Sequence, residues 1–173
     1  DLLTLIEKAL EKPEGPRLRI STLDPFELPD RLIALVGTHP RLCPHFHIAI
    51  QSGSDSVLKG MRRIYAAREF TEVTEKIAKQ CPDTFIGVDV IVGFPGEGEA
   101  EFQETVRVLS DSFWAKLHVF PFSSREGTRA AQMQGHVDRS QSADRSRLLR
   151  EMSEERHHRF LSSQKGKVRE VLL

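Results

Sequence analysis

His45-Phe46-His47-Ile48-Ala49-Ile50-Gln51-Ser52-Gly53-Ser54-Asp55 is the stretch whose reading decides the fold. Phe46, Ile48 and Ile50 alternate with His47, Ala49 and Gln51, the two-residue period of a strand. The polar run from Gln51 to Ser54 breaks that strand, and Ser54 is expected to cap a short helix carrying Val57, Leu58 and Met61. A strand, a tight turn and a helix start in succession form a ligand-binding place in α/β proteins, because strand ends and helix N-termini converge there with free backbone N–H groups.

Working outward, Leu2, Leu3, Ile6 and Leu10 repeat at helical spacing until Pro13-Glu14-Gly15-Pro16. Residues 17–21 are expected as a strand with Leu18 and Ile20 on one face, followed by a loop and a short helix marked by Leu32, Leu35 and Val36. Downstream, Phe70, Val73 and Ile77 mark a longer helix. Residues 84–92 are nearly all β-branched or apolar, the pattern of a strand buried on both faces, ended by Gly93-Phe94-Pro95-Gly96. Phe102, Val106 and Leu109 define another helix, and 117–122 a fourth strand. Asp138 with Gln141 resembles a capping box for a helix with Leu148, Leu149 and Met152 inward, and 167–173 read as a new strand. Four strands separated by helices, about 30 residues apart, mean βαβ units and a parallel sheet, either doubly wound or part of a barrel.

The 173 residues suffice for one domain with a sizeable core, and 25 basic against 25 acidic residues leave no global charge to steer the protein to nucleic acid or membrane. No apolar run approaches the ~18 residues of a spanning helix. The start, Asp1-Leu2-Leu3-Thr4, has neither initiator Met nor leader, so the chain is expected to be an internal piece of something longer. Cys43 and Cys81 are expected as buried thiols in a reduced, cytoplasmic compartment.

Alternation places His47, Ala49 and Gln51 on one face of the opening strand, and Gly87, Asp89 and Ile91 on one face of the third. Asp89 is the outlier: a carboxylate inside an apolar strand costs several kcal/mol unless partnered, so it marks either a structural ion pair or a ligand contact. Arg63 follows Gln51 across the turn and short helix, where its fork of donors suits a carboxylate or simply meets solvent at a helix end. Gly93-Phe94-Pro95-Gly96-Glu97-Gly98 has the composition of a phosphate cradle but not the order of a P-loop, and a βα turn explains it as well. His45 and His47 share a face as interior hydrogen-bonded histidines or metal ligands. Arg125 and Arg129 could touch phosphates, and from Gln134 onward nine basic residues face six acidic ones, too mild an excess to establish nucleic-acid binding.

Three ordered motifs, His47 to Asp55 with Met61-Arg62-Arg63, Asp89 to Glu97, and Phe122-Ser123-Ser124-Arg125-Glu126-Gly127-Thr128, resemble those of the radical S-adenosylmethionine methylthiotransferases over nearly the whole chain. His118-Val119-Phe120-Pro121-Phe122-Ser123 is most similar to the branch acting on threonylcarbamoyladenosine in tRNA. The resemblance implies an α/β fold, strands three to six of an open six-stranded TIM-like (β/α) barrel with a parallel sheet and outer helices. It implies a radical SAM domain over 1–165 and the start of a TRAM-like RNA-binding domain at 166–173. It implies S-adenosylmethionine as cofactor, with contacts from Gln51 and its neighbour Ser52, Arg63 on the carboxylate, Asp89 and Thr22 on the ribose, and Phe120 and Phe122 at the adenine edge. The reaction it implies starts from a [4Fe-4S] cluster and a 5′-deoxyadenosyl radical and ends with a methylthio group on an adenosine base.

The cluster-binding C-x-x-x-C-x-x-C is absent, so no metal ligand is expected here and the fragment alone is expected to be inactive. Ala49, Ser124, Glu126 and Arg129 stand where the family usually has proline, which predicts a less rigid loop, and Ala66 stands in place of a threonine cap. A half-barrel is expected either to self-associate through open sheet edges or to cap them with its terminal helices. The rival readings are another radical SAM enzyme, such as a coproporphyrinogen-type oxidase, and a non-catalytic nucleotide-binding α/β module.

Overall fold

The computed structural model describes residues 1–168, so most of the strand expected at 167–173, and of the second domain expected from 166, lies outside the described residues. β1 (His45–Gln51), β2 (Phe85–Val92) and β3 (Lys116–Pro121) form one parallel sheet in that order. α3 (Asp55–Gly60) and α4 (Ala67–Gln80) connect β1 to β2, and α5 (Glu99–Asp111) connects β2 to β3. α1 (Leu2–Leu10) and α2 (Asp30–Thr38) precede the sheet, and the one-turn α6 (Arg129–Gln132) and long α7 (Arg139–Ser163) follow it. The α/β class and the parallel sheet are as the sequence indicates.

Burial follows the two periods. Phe46, Ile48 and Ile50 of β1, Ile86, Val88, Val90 and Val92 of β2, and Leu117 of β3 join Leu32 and Ile33 of α2, Phe70 and Ile77 of α4, Leu109 of α5 and Leu149 of α7 in a single core. Each such side chain contributes about 1.5–3 kcal/mol on burial.

Of the four strands expected, the one at 17–21 does not form. Residues 17–23 run beside β1 and the segment before it through two isolated parallel bridges, Leu18 to Leu42 ahead of the strand and Leu23 to Ile48 within it. Five residues on one side span six on the other, so no continuous ladder closes, and Thr22 turns the chain between them at φ 57°. β2 is also not buried on both faces. Phe85, Asp89 and Ile91 are only half-buried, because the helices that make the core cover the other side.

Two caps differ from expectation. Ser54 and Asp138 occupy N-cap positions, but the Ser54 hydroxyl shares a hydrogen bond with Ser56 (3.0 Å) and Asp138 accepts from the Ser140 hydroxyl (3.0 Å), so no box with Gln141 forms. Ala66 opens α4 without a side-chain cap, and the helix borrows two carboxylates instead: Glu69 accepts from the Ala66 N–H (3.0 Å) and Asp55 from the Ala67 N–H (2.8 Å). Gly53 is required by packing, since a Cβ there would sit 2.5 Å from the Thr105 Cα of α5. At the outer edge of β3, Ser153 of α7 accepts from the Leu117 N–H (2.8 Å) and donates to the Leu117 carbonyl (3.3 Å). A helix side chain thus engages the strand edge.

Candidate functional site

The half-open face of the sheet carries His45, His47, Ala49 and Gln51 from β1, Phe85, Gly87, Asp89 and Ile91 from β2, and Lys116, His118 and Phe120 from β3. Parallel register puts Ala49, Asp89 and His118 side by side. The partner that Asp89 needs comes from both neighbours. His47 Nε2 hydrogen-bonds Asp89 Oδ1 at 2.7 Å, and His118 Nδ1 stands 3.3 Å from the same oxygen. The His47 and His118 rings meet edge to face with centroids 4.9 Å apart. Oδ2 is left without a partner among the described residues. The three side chains offer ligand atoms within 4.8 Å of one another, the spacing of metal donors, and the His47–Asp89 hydrogen bond joins two of them. His45, the other histidine singled out, is hydrogen-bonded but only half-buried: it stacks on Phe85 (5.4 Å) and lies 3.0 Å from Arg19 Nη2.

At the end of β1 the ladder slips between Ala49 and Gln51, and Gln51 takes φ 62°. Tyr65 fixes this slip: its hydroxyl donates to the Ala49 carbonyl (2.7 Å) and lies 3.3 Å from the Ile50 carbonyl. Burial pushes that phenol well above its ordinary value, so it stays a neutral donor. Thr22, Gln51 and Arg62 are the three non-glycine residues with positive φ among the described residues. Each costs about 1–2 kcal/mol, and such strain collects at ligand sites. Gln51 ends β1, Thr22 lies alongside the strand, where Leu23 donates to the His47 carbonyl (2.9 Å), and Arg62 precedes Arg63, which reaches Asp24.

Arg63 is paired as well as partly solvated. Its Nη1 stands 3.4 Å from Asp24 Oδ1, both groups being about one-third exposed at 35% and 27%. Arg63 and Phe122, with Met61, Ile91 and Phe94, line a cavity of about 440 Å³, and Phe94 meets Phe122 edge to face at 5.3 Å. Ile91 joins this cavity to the open face, and beside it on β3 Phe120 is 50% exposed. Ser52 points elsewhere. It is fully buried, accepts from the Ser54 N–H (3.1 Å) and lies 3.3 Å from the Thr105 hydroxyl, which itself accepts from the Gly53 N–H (3.0 Å).

The glycine-rich loop after β2 is a turn and not a cradle, because its amides are spent. The Gly93 N–H goes to Glu97 Oε1 (2.8 Å), the Gly96 N–H to the Gly135 carbonyl (2.9 Å), and the Glu97 N–H to the Phe94 carbonyl (2.9 Å). Glu97 is buried on Arg145, whose Nη1 reaches its Oε1 at 2.8 Å, and this pair locks the loop to α7. Burial raises the Glu97 pKa, with Gly93 and Arg145 opposing the shift.

Sequence reasoning missed Asp24, Tyr65, the His118 contact and Arg145. His118 could have been found, since it alternates with Lys116 and Phe120 on the Asp89 face. The Arg63–Asp24 and Arg145–Glu97 pairs, 39 and 48 residues apart, leave no local period to read.

Comparison with known proteins gives the same frame. The profile of the radical SAM superfamily matches residues 1–109. A threonylcarbamoyladenosine tRNA methylthiotransferase of Thermotoga maritima is 40% identical over 172 residues, 99% of this chain and 39% of its own length. The Bacillus subtilis protein of that name is 38% identical over 90% of this chain and 35% of its own. A tRNA-2-methylthio-N(6)-dimethylallyladenosine synthase of Alkaliphilus oremlandii is 37% identical over 96% of this chain and 36% of its own. The chain therefore spans under two-fifths of these relatives. Among solved structures, the radical SAM enzyme coproporphyrinogen III oxidase of Escherichia coli superposes with TM-score 0.65 at 15% identity, over 81% of this chain and 32% of that one, a likeness of fold.

Proposed function

Because the chain belongs to the radical SAM superfamily, we propose that the open face of its sheet binds S-adenosylmethionine and that the whole protein methylthiolates an adenosine derivative in tRNA. The names of the relatives support the reaction class, and the 40% identity together with the 118–123 motif favours threonylcarbamoyladenosine as the base. The single observation that carries the reading is Asp89. It is the one acidic residue in the described strands; His47 holds its Oδ1, and its other oxygen, which has no partner among the described residues, is the acceptor we assign to a ribose diol.

In this reading the Arg63 guanidinium, which also faces Asp24, receives the cofactor carboxylate, while Thr22 beside β1 and Gln51 at its end contribute from their strained positions. Phe120 and Phe122 supply apolar edges for the adenine. Ser52 acts by holding the turn through Thr105. The cofactor brings the hard chemistry, and these residues bind and orient it. Domain limits at 165 and 166 and a reduced cytoplasmic setting belong to the same proposal, and no helix of the described chain is long and apolar enough to cross a membrane.

An iron–sulfur cluster does not fit the thiols present. Cys43 precedes β1 and Cys81 precedes β2, at the end of the sheet opposite Gln51, and Cys81 Sγ is buried and donates to the Ile33 carbonyl at 3.3 Å. No reaction step is assigned to them, and the chain by itself is proposed to be inactive. The test of the reading is the nucleoside content of tRNA from a strain lacking the gene. Loss of the methylthio derivative of threonylcarbamoyladenosine is expected. An unchanged nucleoside profile would contradict it.

A further inference from the structure

Next to the cofactor cavity, and sharing Phe122 with it, lies a larger one of about 650 Å³ between the C-terminal ends of β2 and β3 and the start of α7. Among the described residues its charged and titratable lining groups are His136, Arg139 and Arg150, with no Asp or Glu; the Asp138 carboxylate, between two lining residues, accepts from the Ser140 hydroxyl. Arg139, Ser142, Ser146 and Arg150 follow one another at helical steps of three and four, so one stripe of α7 forms the wall. Neither arginine has a carboxylate partner among the described residues, and Arg150 reaches only the Val119 carbonyl at 3.5 Å.

Two independent features point to a polar ligand at this wall, and the unpaired arginines set its sign as anionic. Ser146 is 2% exposed and its hydroxyl has no hydrogen-bond partner among the described residues, which costs about 1–3 kcal/mol if nothing pairs with it. The 25-residue α7 presents its positive end here, and the Asp138 side chain at its N-cap turns to Ser140 instead of capping it. The nearby Glu97 carboxylate is neutralised by Arg145, so it does not cancel this field.

We infer that the cavity is a phosphate subsite for an RNA strand: Arg139 and Arg150 take the oxygens of a phosphodiester, and the Ser142 and Ser146 hydroxyls donate to it. The inference rests on the tRNA reading above, and the shared Phe122 puts the phosphate beside the nucleotide that reaches the cofactor. Its volume exceeds one phosphate and leaves room for the attached sugar.

The experiment compares tRNA binding by the full-length protein with that of the Arg139→Ala/Arg150→Ala double variant and of Ser146→Val, over a salt series. S-adenosylmethionine affinity and melting temperature are measured on the same preparations. The double variant is expected to bind tRNA more weakly, with the slope of log affinity against log salt flattened by about 0.7 for each phosphate the protein no longer neutralises. Ser146→Val should weaken binding at an unchanged slope, and S-adenosylmethionine affinity should not move. An unchanged slope in the double variant, with cofactor binding intact in the wild type, overturns the subsite alone. A wild type that binds no S-adenosylmethionine overturns the reading beneath it. Arginine-dependent binding of inorganic phosphate or adenosine monophosphate that tRNA does not displace also overturns the inference, and gives the cavity to a free metabolite.

Discussion

Asp89 is a charge placed where a sheet would otherwise be apolar, and the structure accounts for its tolerance: one oxygen is bound by His47, His118 stands beside it, and the face it occupies is half-open. Its oddity was legible in the sequence because a carboxylate in a Val/Ile run is costly. Alternation puts His47 and His118 on matching faces of their strands, but their pairing with Asp89 depends on the register between strands, which no single strand shows. His45 offers a prediction at the same scale. Burial and the neighbouring Arg19 hold its pKa below the ordinary 6.5, so the unfolded chain takes up a proton more readily than the folded one. Stability from this group is therefore complete above about pH 6.5 and is lost as the pH falls from there toward the folded value. Urea unfolding at about pH 7.5 and 5.5 should show that loss, and His45→Gln should shrink it.

At the scale of elements, the packing of α5 and α7 rests on small polar residues that no hydrophobic period announces. Leu149 points inward as expected, yet Leu148 is 41% exposed, and the inward stripe includes Arg145, Ser146 and Ser153. Ser153→Ala leaves the buried Leu117 N–H unpaired and should cost about 1–3 kcal/mol, with faster amide exchange at Leu117. Gly53 reads in sequence as a turn residue, but its contact with Thr105 exists only once α5 has folded against the turn. Gly53→Ala must displace α5 and should destabilise by about 1–3 kcal/mol in chemical denaturation. An unchanged midpoint would mean that the helix yields freely.

For the whole molecule, strand period and the turns after β1 and β2 were enough to foresee a parallel α/β sheet, and the ordered motifs were enough to foresee the superfamily. The strand expected at 17–21 failed because its propensity is local while its register against β1 is not. Both outer strands have company: residues 17–23 lie along β1, and Ser153 of α7 engages β3. That coverage predicts a constant monomer mass in light scattering over a dilution series, whereas a mass that grows with concentration would show pairing through the edges. The account stands on the open face as a cofactor site, and calorimetric titration of S-adenosylmethionine into the full-length protein, its Asp89→Asn variant and its Arg63→Ala variant tests that directly. Weakening of about tenfold or more in each, roughly 1.4 kcal/mol, is the result the account predicts. Unchanged affinity in both variants would contradict it.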